Sequence, residues 1–295
     1  MSLTRRRIDV TVTLGRGNFG EDGQDTVTLK GLRVSATIQK FGMPGLDMAN
    51  VRIYGATPNF MNKVTRLGKP LTEVRDNTLV ITAGDDESGM SQVFSGVINT
   101  AYTDFGGAPE TSINLSAVGG IKALAKPVAP ISFQGGVSAA TVCQQIAASM
   151  GLGFKNSGVN VQLNNVYLPG TALDQLRKLK TSANCNIDPA SGPTGQVVEM
   201  WPLDGKKGDL APLLSAESGL VGYPRYSDTG VAVTALYRPG FLFGAQFNLK
   251  TELEAANGAW IIRGLTYDLE SETPGGSWFC DIDAYRPTDA NVGAS

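Results

Sequence analysis

The residues able to do chemistry are defined first by an absence, since none of the 295 residues is histidine. That removes Ser-His-Asp and Cys-His catalysis, histidine-bearing zinc sites and the usual neutral-pH proton shuttle. Cys143, Cys185 and Cys280 are odd in number, lack the paired spacing of a thiolate metal site and do not form a disulfide framework. Acidic groups remain. Asp85, Asp86 and Glu87 could ligate calcium, but they fit a solvated turn. Glu270 with Glu272, and Asp281 with Asp283, lie two apart on strand-like segments, so each pair points to one face, as the two carboxylates of a glycosidase must. The polar outer face of an antiparallel sheet gives the same spacing. Gly15, Gly17 and Gly20 spell G-x-G-x-x-G, yet a polar, acidic, strand-like segment follows where a dinucleotide site needs a helix. No catalytic, cofactor-binding or metal residue is assigned. No cofactor is expected, and the chain reads as a non-enzyme.

The charge balance points the same way. A net charge of −2 does not suit a protein that grips phosphate backbones. Arg5, Arg6 and Arg7 form the one dense basic run, and Ile8, Val10, Val12 and Leu14 alternate directly behind it, which makes it a charged strand start. The opening residues lack the apolar run of a secretory leader, and no segment reaches the ~20 apolar residues of a membrane span. Synthesis and folding in a cytoplasm, with no stable membrane association, are the expectation.

Two helices stand out from a chain otherwise made of short alternating strands and tight turns. Ala139, Val142, Cys143, Ile146, Ala147 and Met150 share one helical face, with Ser138 placed to cap its start and Gly151 its end. The second helix opens at Thr171 with Asp174 three residues on, a capping box using Asp. Leu173, Leu176, Leu179 and Ala183 make its apolar face, while Arg177, Lys178 and Lys180 are expected in water. A strand from Gly195 to Trp201 follows. Around this part, strands are predicted at 4–14, 26–40 (with a bulge at Gly31), 49–56, 78–83, 92–102 and 111–118, with a short helix from Pro58 to Leu67. Later ones fall at 230–237, 244–253, 259–271 and 277–285. The fold class is mainly β with an α+β insertion, divided as 1–120, 121–208 and 209–295.

The two β-rich regions resemble each other. Val51-Arg52-Ile53-Tyr54 precedes Pro58 and Phe60, as Thr234-Ala235-Leu236-Tyr237 precedes Pro239 and Phe241. Phe94 to Ile98 returns along Ile113 to Ala117, as Ile262 to Thr266 returns along Phe279 to Ala284. Gly96 and Gly264 hold matching places, which suggests a shared bend or close backbone approach. An internal duplication is the reading.

Val51 to Tyr54, Gln92 to Tyr102, the βααβ-like insertion from Ser132 to Trp201 and the closing unit from Gly258 to Pro287 together give a layout that resembles the baseplate hub proteins of contractile-tailed bacteriophages. These are related in design to the lower part of type VI secretion spike proteins. The resemblance implies two tail-tube-like β-barrel domains, at 1–120 and 209–295, which can be interleaved in sequence. It implies a homotrimer forming a pseudo-hexameric ring that joins the hexameric tail tube, or a tube-initiator protein, to the trimeric central spike. The ring would touch other baseplate proteins, surround the genome-delivery channel and meet DNA only in passage. The location it implies is the tail baseplate of a virion, after synthesis in the host bacterial cytoplasm. Two other classes stay open. A peptidoglycan- or carbohydrate-binding module of the LysM type would expose aromatics on the insertion, with Phe154, Tyr167 and Trp201 as candidates. A wall-degrading enzyme would need two carboxylates facing each other across a cleft.

Overall fold

The computed structural model describes residues 5–20, 23–43, 45–65, 77–87, 89–119, 128–191, 197–208, 212–227 and 230–287. The expected helix end at Leu67, the strand starts at Thr4 and Gly195, and the boundary residues 120, 121 and 209 lie outside them. The described chain is chiefly antiparallel β, with three α-helices. It divides into two compact units, and each draws on separated parts of the sequence. The first takes Met1–Gln39, Asp47–Gly119 and Thr266–Phe279; the second takes Lys40–Leu46, Gly120–Leu265 and Cys280–Ser295.

In the first unit the strand order is Val34–Lys40, Met48–Tyr54, Ser112–Gly119, Gly89–Asp104, Thr78–Asp85, Arg6–Thr13, Thr26–Leu29, with each neighbouring pair antiparallel. Alternation builds the core: Ile8, Val10 and Val12 face inward from one strand, Ala49, Val51 and Ile53 from another, and Ile113, Leu115 and Ala117 from a third. The expected bulged strand over 26–40 is two strands. Gly31 sits at φ +65, which ends Thr26–Leu29. Thr26–Leu29 then pairs with Arg6–Thr13, and Val34–Lys40 with Met48–Tyr54. Helix α1 (Pro58–Val64) is capped by Thr57, carries Pro58 in its first turn and buries Phe60, Met61 and Val64. Val34–Lys40 has the strand Gly258–Ser271 as its other hydrogen-bonded neighbour, and Ser271 Oγ donates to the Leu32 carbonyl at 3.2 Å. The C-terminal end of that strand and the turn after it, Thr266–Phe279, thus complete the first unit.

The second unit holds the helices. In α2 (Ala139–Met150) the Ser138 hydroxyl accepts from Thr141 N–H, and Gly151, at φ +75, closes the end. In α3 (Ala172–Ala183) both halves of the Thr171–Asp174 capping box are present, and Asn184, at φ +47, ends the helix in the left-handed region. Both helices share a core with a three-stranded sheet. Its central strand, Val197–Pro202, is parallel to Gly153–Asn156 and antiparallel to Cys185–Ser191. Two small ladders, Gly136–Ser138 with Gln162–Asn164 and Ile131–Ser132 with Tyr167–Leu168, border it. Val142, Cys143, Ile146, Leu176, Leu179, Ile187, Val198 and Met200 fill this core, and Met43 enters it from the short 40–46 segment. Lys180 is not fully in water as expected: it is half-buried and its ammonium donates to the Met43 carbonyl.

A second run of strands repeats the order of the first. Chain order in the first is hairpin, α1, one strand, hairpin; the last strand inserts beside the second, giving Val34–Lys40, Met48–Tyr54, Ser112–Gly119, Gly89–Asp104, Thr78–Asp85. The later residues give Leu220–Ser227, Gly230–Leu236, Trp278–Tyr285, Gly258–Ser271, Gln246–Leu249 in the same sense. Leu213–Leu214, paired parallel to Gln246–Leu249, occupies the place that Arg6–Thr13 holds in the first run. The duplication is therefore one of topology. Its sequence match is less regular than the tetrapeptides suggest: Val51 and Ile53 are buried, whereas in the other copy Ala235 and Tyr237 are, one place out of phase. Nor do the two glycines agree. A Cβ on Gly96 would lie 2.5 Å from the Val118 carbonyl oxygen, whereas on Gly264 the nearest atom, in Asp283, would be 3.5 Å away.

Candidate assembly surfaces

Every carboxylate that could have been catalytic already has a partner. Glu270 Oε2 accepts from Ser277 N–H at 3.1 Å, and Glu272 takes a forked pair from Arg5 at 2.9 and 2.6 Å. Asp281 accepts from the Thr234 hydroxyl, and Asp283 is held by both arms of Arg263 at 2.7 and 3.1 Å. The Asp281 and Asp283 bonds are exposed cross-strand contacts of the sort that line a sheet's outer face, each worth about 0.2–1 kcal/mol, whereas the Glu270 bond is part-buried and closes a turn. Asp85 caps the backbone of its own turn by accepting from Glu87 N–H, and Asp86 pairs with Arg7. Among the described residues no three His, Cys, Asp or Glu side chains cluster as a metal site would require. A shallow pocket on the helix-bearing part is lined by Pro169, Gly170, Asp174, Arg177 and Lys178. Its carboxylate, Asp174, is held below the ordinary range chiefly by the Thr171 hydroxyl and backbone, which is its capping duty.

The basic run is also spent inside the chain. Arg5 reaches Glu272, Arg6 donates to the Gly276 carbonyl at 3.3 Å and lies 5.6 Å from the Trp278 ring centre, and Arg7 takes Asp86. Arg5 and Arg6 together fasten the Thr266–Phe279 segment to the N-terminal strand of the first unit. The three cysteines are free and buried. Burial pushes the thiols of Cys143 and Cys280 up to about 12 and that of Cys185 up to about 11, so none is a nucleophile near neutrality.

The aromatics that a wall-binding module would have to display on the insertion do not form a binding face. Tyr167 is 64 % exposed, but Trp201 is 1 % exposed. Trp201 faces Phe243 edge-on with ring centres 6.0 Å apart, and Lys207 Nζ lies 5.7 Å from its ring. Phe154 is partly buried against the helix core. Beside Trp201 lies a charge cluster that sequence reading missed. Lys207 Nζ is 2.6 Å from Asp188 and 3.9 Å from Glu199; Glu199 also takes Lys155 at 3.0 Å and the Ser157 hydroxyl at 2.6 Å. Lys207 and Glu199 are both buried. Nothing in their spacing announces this, because they sit on different strands and a loop.

Exposed large side chains concentrate on sheet edges and hairpin ends. Tyr102 and Phe105 stand at the far end of the Gly89–Asp104 strand; Val221, Tyr223 and Tyr226 line the outermost strand, Leu220–Ser227. That outer strand carries a register shift between Val221 and Arg225, with Pro224 inside it. Proline and a bulge both belong to edge strands, where they limit indiscriminate pairing. At the other end, Thr26–Leu29 is an edge whose Thr26 and Thr28 hydroxyls bond Thr13 and Thr11 at 2.9 Å. Such surfaces suit assembly with other protein surfaces. No described helix is long and apolar enough to cross a membrane.

Comparison with known proteins bears on this directly. None of the curated proteins matches the sequence. Among solved structures, the tail protein from Neisseria meningitidis MC58 superposes with a TM-score of 0.61 at 9 % identity, covering 95 % of this chain and 96 % of that one. The 43 kDa tail protein of prophage MuSo2 from Shewanella oneidensis gives 0.59 at 9 % identity, covering 95 % and 97 %. A Francisella PdpA-VgrG complex gives 0.58 at 8 % identity, covering 100 % of this chain and 60 % of that one. At such identities these likenesses speak for the fold. A family model described as "Baseplate hub gp41" matches residues 7–275. By that match, over nearly its whole length, the chain belongs to the baseplate hub family of phage tail proteins.

Proposed function

We propose that three copies of this chain form a ring of pseudo-sixfold symmetry at the tail baseplate, joining the hexameric tail tube or a tube initiator to the trimeric central spike. The observation that carries this is the repeated strand order within one chain, which lets three subunits present six similar β surfaces. A heterologous interface repeated around a closed ring is what such a subunit needs. The similarity to a VgrG complex supports the same reading. The ring surrounds the genome-delivery channel and meets DNA only in transit, in keeping with a net charge of −2, which would not retain it. Other baseplate proteins contact its exposed faces, and segment 121–208 acts as a module of its own. Assembly follows synthesis in the host bacterial cytoplasm.

Native mass measurement and negative-stain imaging test the ring. A trimer with a central opening, alone or with the spike partner, is the expected result; a strictly monomeric mass at high concentration with tail partners present would sink the proposal. The hub is structural and turns over no wall polymer. Purified protein incubated with peptidoglycan should release no soluble fragments, and release abolished by Glu270→Gln or Glu272→Gln would reverse that conclusion.

A further inference from the structure

The buried charge cluster beside Trp201 brings together the two reactants of a covalent bond. Asp188 and Glu199 lie directly opposite each other in the antiparallel pair of Cys185–Ser191 with Val197–Pro202, so their carboxylates stand on one face of the sheet. Lys207 reaches that face from the loop after Val197–Pro202, where its backbone N–H donates to the Gly244 carbonyl at 2.7 Å. Its Nζ stops 2.6 Å from Asp188 Oδ2 and 3.9 Å from Glu199 Oε2. The side chains of Lys207, Asp188 and Glu199 are only 9 %, 13 % and 4 % exposed. The surroundings are aromatic, with the Trp201 ring beside the ammonium and Phe243 edge-on to Trp201. Gly244 makes the closeness possible: at φ +79, a Cβ there would lie 2.6 Å from the Trp201 ring and 3.3 Å from Lys207 Cβ.

An amine pressed against one carboxyl group, with a second carboxyl beside both and apolar walls around them, is an arrangement that can close an amide. We propose that Lys207 and Asp188 join spontaneously in the folded chain as an isopeptide bond, with Glu199 moving the protons. The ion pair is the state before closure. Burial favours its neutral form, reached when the ammonium passes a proton to the Asp188 carboxylate. The Nζ lone pair then attacks Asp188 Cγ. Glu199 takes the proton that the nitrogen sheds and delivers it to the departing hydroxyl, so one water leaves for each amide formed and no oxidant is consumed. Lys155 and the Ser157 hydroxyl both hold Glu199 Oε1, which leaves Oε2 turned to the reacting pair. A condensation that does not proceed in dilute water becomes favourable between groups fixed in contact, where effective concentrations reach ~10⁵–10⁸ M. Asp188 is also spared a rival reaction. The backbone N–H that follows an aspartate can attack its carboxyl group, but the next residue here is Pro189, which has none. The bond ties Cys185–Ser191 to the loop that Gly244 anchors, inside the second unit, in a chain whose cysteines are all free.

Mass spectrometry of the intact chain, folded and left to stand at neutral pH, tests this. Its mass should fall short of the sequence by one water, and after trypsin the peptide carrying Asp188 should remain joined to the one carrying Lys207. A cyclic imide at Asp204–Gly205 would lose the same water but leave those two peptides apart. A full mass, or a missing water without the branched peptide, overturns the proposal, and a branch from Lys207 to Glu199 overturns its choice of Asp188. Lys207→Arg keeps the charge and should retain the full mass; a missing water with a branch to Asp188 in that variant would overturn the role of Lys207. Glu199→Gln should close about 100-fold more slowly, and closure at the native rate would remove the proton shuttle. Because a variant can fail to fold, the native sequence is also followed in urea and after refolding. The branched peptide should be absent in urea and appear on refolding; its formation at the same rate in urea would show that the fold does not make the bond.

Discussion

Replacing Lys207 by methionine is expected to cost the second unit about 3–5 kcal/mol, the range seen when one partner of a buried ion pair is removed. Lys207 Nζ lies 2.6 Å from Asp188 and near Glu199, in a place where both Lys207 and Glu199 are buried. Methionine keeps much of the side chain's volume, so the loss is one of charge: Asp188 loses the ammonium at 2.6 Å, while Glu199 keeps Lys155 at 3.0 Å. The companion variant Lys207→Met with Asp188→Leu should recover a large part of the loss, because apolar replacements of a whole buried pair are often neutral. Trp201, 5.7 Å from Lys207, gives a fluorescence signal for urea titrations of both proteins. A loss under about 1 kcal/mol for Lys207→Met would show that water reaches the cluster and screens it.

The second large effect is expected at Leu176. This side chain is fully buried on the inward face of α3, among Val142, Ile146, Leu179 and Met200. Leu176→Asp places an unpaired carboxylate there, at a cost of several kcal/mol or local unfolding. Lys178→Asp, on the exposed face of the same helix, should stay within roughly 0.5 kcal/mol. Hydrogen exchange then reports how far the damage spreads. Protection should be lost over about 128–201 and kept in Gly89–Asp104 and Gly258–Ser271, because the helix core is built from its own residues with Met43 as a visitor. Collapse of protection in those two long strands would show that the helices and the β runs share one core.

The helices were legible in the sequence because everything that defines them is local. Ser138, Gly151 and the Thr171–Asp174 box act within four residues of where they stand. Strands were legible where one face is buried, as at Ile8, Val10 and Val12. They were missed where exposure removes alternation: Leu220–Ser227, with Val221, Gly222, Tyr223, Arg225 and Tyr226 all outward, reads as a loop. The duplication showed as repeated strands, but its short matched peptides were one residue out of phase, since a slip by one moves a side chain to the other face without changing composition. The edge surfaces and the Lys207 cluster were illegible for a different reason. Both depend on residues far apart in the chain, and so did the fate of Arg5, whose partner is 267 positions away. The burial of Trp201 was illegible likewise, because Phe243 and Lys207 pack on it from later in the chain.

The placement of Thr266–Phe279 in the first unit has a consequence for timing at the ribosome. Val34–Lys40 and Met48–Tyr54 emerge early, yet the strand that covers the other side of Val34–Lys40 ends at Ser271. From Gln39 to Phe279 a further 240 residues (279 minus 39) must be made, which at ~5–20 residues per second takes roughly 12–48 s. Throughout that interval the nascent first unit carries an open strand edge, and its arginines at 5 and 6 wait for Glu272 and Gly276. An open edge on a waiting chain invites pairing with whatever strand comes by, including those of sister chains on the same polysome. The long delay therefore puts a premium on chaperones during translation, and it makes the last strands of the message the step that commits the first unit to its fold.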